Sequence, residues 1–193
     1  LEHCIKLIRS GAVQGVIVVG SFVHDPLLSR LLEEDCPFVL IGYPPDNPDI
    51  YTTPFNTVST NDKQSAYQAV RFLLERGHRR IGLVHAPLSI TEAGLRIDHT
   101  LIASTSYEVS ETVSAVTALL TVAHPPTAVF CTDDYKATGV LRAALGLGMR
   151  VPEDLSVMGH NNYQISELTT PPLTTVTVPM FERGRSAGEI LMR

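Results

Sequence analysis

The sequence of 193 residues predicts an α/β fold with parallel sheets. Three observations carry this. Short β-branched runs recur, most of them apolar without interruption, as in strands buried on both faces. Segments with apolar residues at helical spacing lie between them. Glycine and proline fall at the junctions, as at Gly77, Gly148 and Pro152.

In chain order, "LEHCIKLIRSG" reads as a helix end. It lacks the long apolar core and small-residue cleavage site of a signal peptide. Val16–Val19 and Phe38–Ile41 are predicted strands, and "GYPPDNPDIYTTP" is a proline-rich loop. A helix follows in "NDKQSAYQAVRFLLERG", with Ala66, Ala69, Val70, Leu73 and Leu74 on one face. Asn61 and Gln64 form its capping box and Gly77 its stop. Strands are expected at Ile81–Val84 and Ala128–Cys131. A helix from Asp134 to about Leu147 turns Ala137, Val140, Leu141, Ala144 and Leu145 inward. Strands Leu155–Met158 and Thr175–Val178 flank a rigid Pro171–Pro172 connector, where Pro172 is a candidate for a cis bond.

Composition narrows the function classes. At 44% hydrophobic and 18% charged, the chain has enough apolar material for a substantial core. A formal net charge of -5 argues against a large nucleic-acid-binding surface on this chain itself. Cys4, Cys36 and Cys131 are odd in number and far apart. They imply no disulfide framework and no zinc motif, and they favour a reducing compartment, the cytoplasm. No apolar run approaches the ~20 residues of a membrane-spanning helix.

In open parallel sheets, ligands bind at the carboxyl ends of strands. The residues there are Gly20–Ser21–Phe22, Gly42–Tyr43, Ala86–Pro87, Thr132–Asp133–Asp134 and His160–Asn161–Asn162. Carboxylates and amide oxygens accept from hydroxyls, amide nitrogens donate, and rings pack on the apolar faces of sugars. The set therefore suits a neutral polyhydroxylated ligand. Plainer roles stand beside this. Asp134 starts a helix, so N-capping is its default; Asp133 has less structural reason to be there. Asn161 and Asn162 suit a turn of unusual φ. His160 reads equally as a loop histidine, and Arg96 in "AGLRIDH" as a solvated surface arginine.

Catalysis finds little support. The adjacent Asp133 and Asp134 point in different directions and make a poor acid/base pair. There is no G-x-S-x-G, Walker A or G-x-G-x-x-G motif, no histidine pairing at metal-ligand spacing, and no implied cofactor.

"ERGHRRIGLV" (Glu75–Val84), "PPTAVFCTDDYKATGVLRAALGLGMRVPEDLSVMGHNN" (Pro125–Asn162) and "TTPPLTTV" (Thr169–Val176) resemble the effector-binding domain of lactose-repressor/galactose-repressor transcription regulators. "RSGAVQGVIVVG" extends the likeness toward the start of the chain. The resemblance implies two Rossmann-like, periplasmic-binding-protein-like lobes with a sugar bound between them. It divides the chain into an incomplete N-terminal lobe, 1–77 with 178–193, and a C-terminal lobe, 78–177. It further implies a homodimer that reaches operator DNA through an N-terminal helix-turn-helix head absent from this sequence. Arg96 matches the family's effector-binding arginine, Asp133 its usual cleft asparagine, Asp134 the helix-starting aspartate, and Asn161 a position commonly aspartate. Asp133 and Asn161 are thus exchanged in type, which argues against a lactose- or purine-like pocket. "NNYQISELTTPPLT" and "FVLIGYP" look most like the maltose repressors of the family.

Relative to the family, the head, the hinge, the first strand and most of the first helix are missing, and the stretch from Arg96 to Ile102 is short. We expect the natural gene product to be longer. A transport-associated sugar-binding protein of the same fold is the alternative expectation, and a sugar-modifying α/β enzyme a more distant one.

Overall fold

The computed structural model describes residues 2–20, 25–43, 55–85, 99–106 and 108–193, with the backbone alone of His99. It divides into two units: Leu1–Thr60 with Pro179–Arg193, and Asn61–Val178.

The first unit holds a three-stranded parallel sheet, β1 (Val16–Val19), β2 (Phe38–Ile41) and β3 (Asn56–Val58), in that order. Alternate residues of β2 face opposite helices. Phe38 and Leu40 join Val18, Leu28 and Leu31 on the side of α2 (Pro26–Glu33). Val39 and Ile41 meet Ala187 of α7 (Met180–Leu191) on the other. Asp25 caps α2 by accepting from the Leu27 amide at 2.9 Å, with Pro26 in the first turn where no N–H is needed. The short helix α1 (Glu2–Arg9) buries Ile5. On β1, Ile17 and Val19 remain exposed.

The second unit holds a five-stranded sheet in the order β5-β4-β6-β7-β8, every pairing parallel. Its strands are β4 (Ile81–His85), β5 (Ile102–Ser104), β6 (Ala128–Cys131), β7 (Ser156–Asn161) and β8 (Thr174–Thr177). Helices α4 (Val109–Leu120) and α5 (Asp134–Gly146) bury one face around Val84, Val116, Val129, Val140 and Leu155. The helix α3 (Asp62–Glu75) covers the other through Ala69 and Leu73 on Phe130 and Met158. Between α4 and α5 the approach is close: a Cβ on Gly139 would stand 2.6 Å from Thr112 Cγ2. A short helix, α6 (Ile165–Leu168), follows β7. From β4 the chain steps outward to β5 and then returns to β6 on the other side, so the strand order reverses at the β4–β6 junction.

Several expectations change. The expected boundary after residue 77 gave α3 to the first lobe; its apolar face packs on the second sheet, and the boundary falls between Thr60 and Asn61. Strand β7 runs on through Gly159, His160 and Asn161, which pair with Thr175, Val176 and Thr177. The strands β3 and β5 are additions to the expected set. The cis bond in the proline pair precedes Pro171, not Pro172, and a second precedes Pro152. Leu145, expected to face inward, is exposed, and Ala143 takes its place in the core. The Asn61 cap holds, its side chain accepting from the Gln64 amide at 2.9 Å.

Candidate functional site

The carboxyl ends of β6 and β7 bring Asp133, Asn161 and His160 into one hydrogen-bonded chain. Asn161 Nδ2 donates to Asp133 Oδ2 at 3.2 Å, and His160 Nδ1 lies 3.1 Å from Asn161 Oδ1. The carboxylate can only accept, which fixes the amide with its nitrogen toward Asp133 and its oxygen toward the imidazole. His160 must then carry its proton on Nδ1. Edge-on contact with Phe130, 6.3 Å between centroids, holds the buried imidazole.

The capping role expected of Asp134 falls to Asp133. Asp133 is the N-cap of α5, its backbone extended and its Oδ1 accepting from the Tyr135 amide at 2.7 Å. Asp134, the first helical residue, is fully buried. One of its oxygens accepts from the Tyr163 amide at 2.7 Å and the other from the Thr175 hydroxyl at 2.6 Å. Asp134 thereby ties α5 to the segment after β7 and to β8. Gly159 makes room for it, since a Cβ there would stand 2.2 Å from Asp134 Oδ1. Burial pushes the Asp133 carboxyl above its ordinary range, with neighbouring Asp134 acting in the same sense against hydrogen bonds from the helix backbone.

Asn161 and Asn162 both take positive φ, +99° and +57°, the unusual turn geometry that asparagine tolerates. Asn162 joins the brace through its amide, which donates to the Thr175 hydroxyl at 3.3 Å. Arg96, Ser21, Phe22, Ala86 and Pro87 lie outside the described residues.

Sequence reasoning missed the groups after β5. Thr105 is fully buried, Lys136 of α5 is 2% exposed, and the two are hydrogen bonded. The available signal was compositional. Helix α5 is rich in alanine and glycine and is buried over Asp134, Lys136, Ala137, Gly139, Val140, Ala143 and Ala144. A helix covered over most of its surface buries even a lysine in its first turn. Among the described residues, no three His, Cys, Asp or Glu side chains come together as a metal ion would require. Nor is any described helix long and apolar enough to cross a membrane.

Residues 88–193 match the family described as periplasmic binding protein-like domain. The chain belongs to that family. Its parallel sheets with helices on their faces agree with that membership. Among its relatives, the HTH-type transcriptional repressor PurR of Aliivibrio salmonicida is 29% identical over 99% of this chain and 60% of its own length. That of Salmonella arizonae is 32% identical over 97% of this chain and 58% of its own. A regulatory protein of LacI family from Chloroflexus aggregans superposes with a TM-score of 0.84 at 27% identity, over 99% of this chain and 72% of that one. The transcriptional regulator CelR in complex with cellobiose gives 0.85 at 28%, over 99% and 62%. These likenesses place the chain with the effector-binding domains of lactose-repressor-type regulators within the family. The chain spans about 60% of the length of the curated relatives it matches.

Proposed function

We propose that this chain is the effector-sensing domain of a bacterial transcription regulator and that its effector is a neutral sugar. The observation that carries the reading is the Asp133–Asn161–His160 chain at the ends of adjacent strands. It offers carboxylate, carboxamide and imidazole groups, which suit hydroxyls, in a setting where Asp133 and His160 are buried and Asn161 half-buried, so that such bonds discriminate. The cellobiose complex of a relative of the same fold supports the same ligand class. A maltose-like sugar is the finer proposal, resting on the sequence segments that resemble the maltose repressors. Asp134 acts as the brace that holds Asp133 and the segment after β7 in register, and Arg96 supplies the site's cation. The protein is read as binding rather than transforming its ligand, since the relatives it matches are repressors and regulators. Operator DNA is reached through a head outside this chain, in the cytoplasm, and by a homodimer. The exposed Leu145, which lines a groove with Leu141, Met149 and Pro171, supports association of two copies.

A thermal-shift screen with glucose, maltose, cellobiose, a sugar phosphate and a purine base tests the ligand class. A neutral sugar at a hundred times its Kd should stabilise the chain by about 2.7 kcal/mol. Arg96→Ala should weaken that binding by roughly ten- to a hundred-fold. Stabilisation by the sugar phosphate or the purine base, with none by any neutral sugar, overturns the reading. Sedimentation of the same sample reads the dimer, and a strictly monomeric mass at high concentration removes that part.

A further inference from the structure

One buried cation has no part in the site as described. Lys136 stands in the first turn of α5, three residues after the N-cap Asp133. At 2% exposure it is buried to a degree lysine reaches only with partners. Nζ donates to the Thr105 carbonyl at 2.8 Å, the Ser106 carbonyl at 2.5 Å and the Thr105 hydroxyl at 3.3 Å. Three ammonium protons thus meet three acceptors. All three acceptors belong to the segment between β5 and α4. In the sheet, β4 lies between β5 and β6, so the lysine links the residues after β6 to those after β5 across the end of β4. That crossing point is where the strand order reverses and where sheets of this type admit ligands.

The segment is held from its other side as well. Thr112 Oγ1 donates to Thr105 Oγ1 at 3.1 Å, and Glu111 accepts from the Ser106 amide at 3.1 Å and from the Ser106 hydroxyl. Two adjacent carbonyls aimed at one point need a strong donor to hold them, and bonds from an ionised donor are about twice as strong as neutral ones. Burial works against the ammonium, and the Asp133 carboxylate, followed by others including Glu111, works for it.

We propose that Lys136 is a positioning residue of the ligand site: it fixes Thr105–Ser106 relative to Asp133 and so sets which ligand the crevice admits. The ligand half of this rests on the effector reading above; the loop half rests on the hydrogen bonds alone. Amide hydrogen exchange on the whole chain separates the two. In Lys136→Met, the amides of residues 105, 106 and 108 should exchange on the order of ten-fold faster, while those of Val129, Phe130, Val157 and Met158 keep their protection. Unchanged exchange at 105–108, or a rise in step with β6 and β7, reduces Lys136 to a contributor to global stability and overturns the proposal. Where the methionine variant does not fold, Lys136→Gln, which keeps a donor for one carbonyl, is read in the same way. Titration with cellobiose and maltose then tests selectivity, where the ratio of the two Kd values should move by roughly five-fold or more. A loosened loop with an unchanged ratio removes the specificity role. If the wild-type chain binds no neutral sugar, the effector reading fails and takes the specificity role with it, while the exchange result still decides whether Lys136 holds the loop.

Discussion

The two units finish their strands with different materials. In the first, β1 and β2 end on Gly20 and Gly42, both at positive φ, +71° and +140°. A Cβ on Gly42 would lie 3.7 Å from the Gly20 Cα, and both amides donate to neighbouring strand carbonyls. Each of these two strand ends opens on a glycine, and the exposed Tyr43, whose hydroxyl donates to the Thr60 carbonyl, follows the second. In the second unit, the ends of β6 and β7 carry Asp133, Asp134, His160 and Asn161, all buried or half-buried. Among the described residues, one parallel-sheet plan thus yields glycine strand ends in one unit and a surface of buried polar side chains in the other. The side-chain surface is the costlier to build, because each buried carboxylate must find donors. Asp134 finds the Tyr163 amide and the Thr175 hydroxyl, and Asp133 finds a helix start and an asparagine.

The contrast breaks most sharply at Gly159. Its substitution by alanine puts a Cβ against Asp134 Oδ1 and Leu173 Cδ2, at 2.2 and 2.7 Å, and should cost about 3 kcal/mol of stability. Asp134→Ala orphans the buried amide and hydroxyl and should cost about 2–3 kcal/mol. Asp134 is itself what Gly159 makes room for, so the double variant should fall well short of the sum. Urea unfolding of the three variants measures this. Strict additivity means that the glycine and the aspartate do not share the space described here.

Much of this could be read from the sequence, and the exceptions have physical causes. Apolar strands such as Phe38–Ile41 and Ala128–Cys131 announce themselves because both faces are buried. Strand β3 does not, since Asn56 and Thr57 are polar and exposed. From the sequence β7 stops at Met158, because His160 reads as a loop residue and Asn161 as a turn residue, whereas the backbone of Gly159, His160 and Asn161 pairs with β8. That two adjacent aspartates open α5 was plain; which one caps depends on the register of the first turn, which three-dimensional packing sets. Lys136 was invisible for a related reason, because a lysine in the first turn of a helix reads as solvated until both neighbouring helices and the β5–α4 loop are in place. The candidate pair Asp133 and Asn161 was found from position at the strand ends, and their contact from geometry alone.

In the first unit, Gly20→Ala tests the glycine strand end. Among the described residues nothing lies within 4 Å of the added Cβ, so φ sets the cost, which should be about 1–2 kcal/mol. A loss beyond about 3 kcal/mol points to a steric role for this position and erases the contrast with Gly159.

The smallest effect on stability carries the most information about the site. Asparagine caps helices as well as aspartate does, so Asp133→Asn should stay within about 1 kcal/mol of the wild type. The hydrogen bonds must nevertheless reorganise. In the wild type, Asp133 accepts from both the Tyr135 amide and Asn161 Nδ2. An amide that keeps its oxygen on the Tyr135 amide turns its NH2 toward Asn161, which must flip to offer oxygen. The Asn161 nitrogen then faces His160, whose Nδ1 can no longer donate and must accept. The imidazole proton therefore moves from Nδ1 to Nε2, which nitrogen NMR of His160 reads directly at a pH where the ring is neutral. Stability against pH adds a second signature. Burial raises the Asp133 carboxyl above its unfolded value of 3.8, so the folded chain holds this proton more tightly than the unfolded chain. That contribution is fully present below 3.8 and is lost as pH rises through the folded value. The asparagine variant has no such proton to lose, so its stability relative to wild type should climb across that window and then level. A His160 that keeps its proton on Nδ1 in the variant, together with a flat stability difference, would mean that Asp133 does not govern this chain of hydrogen bonds.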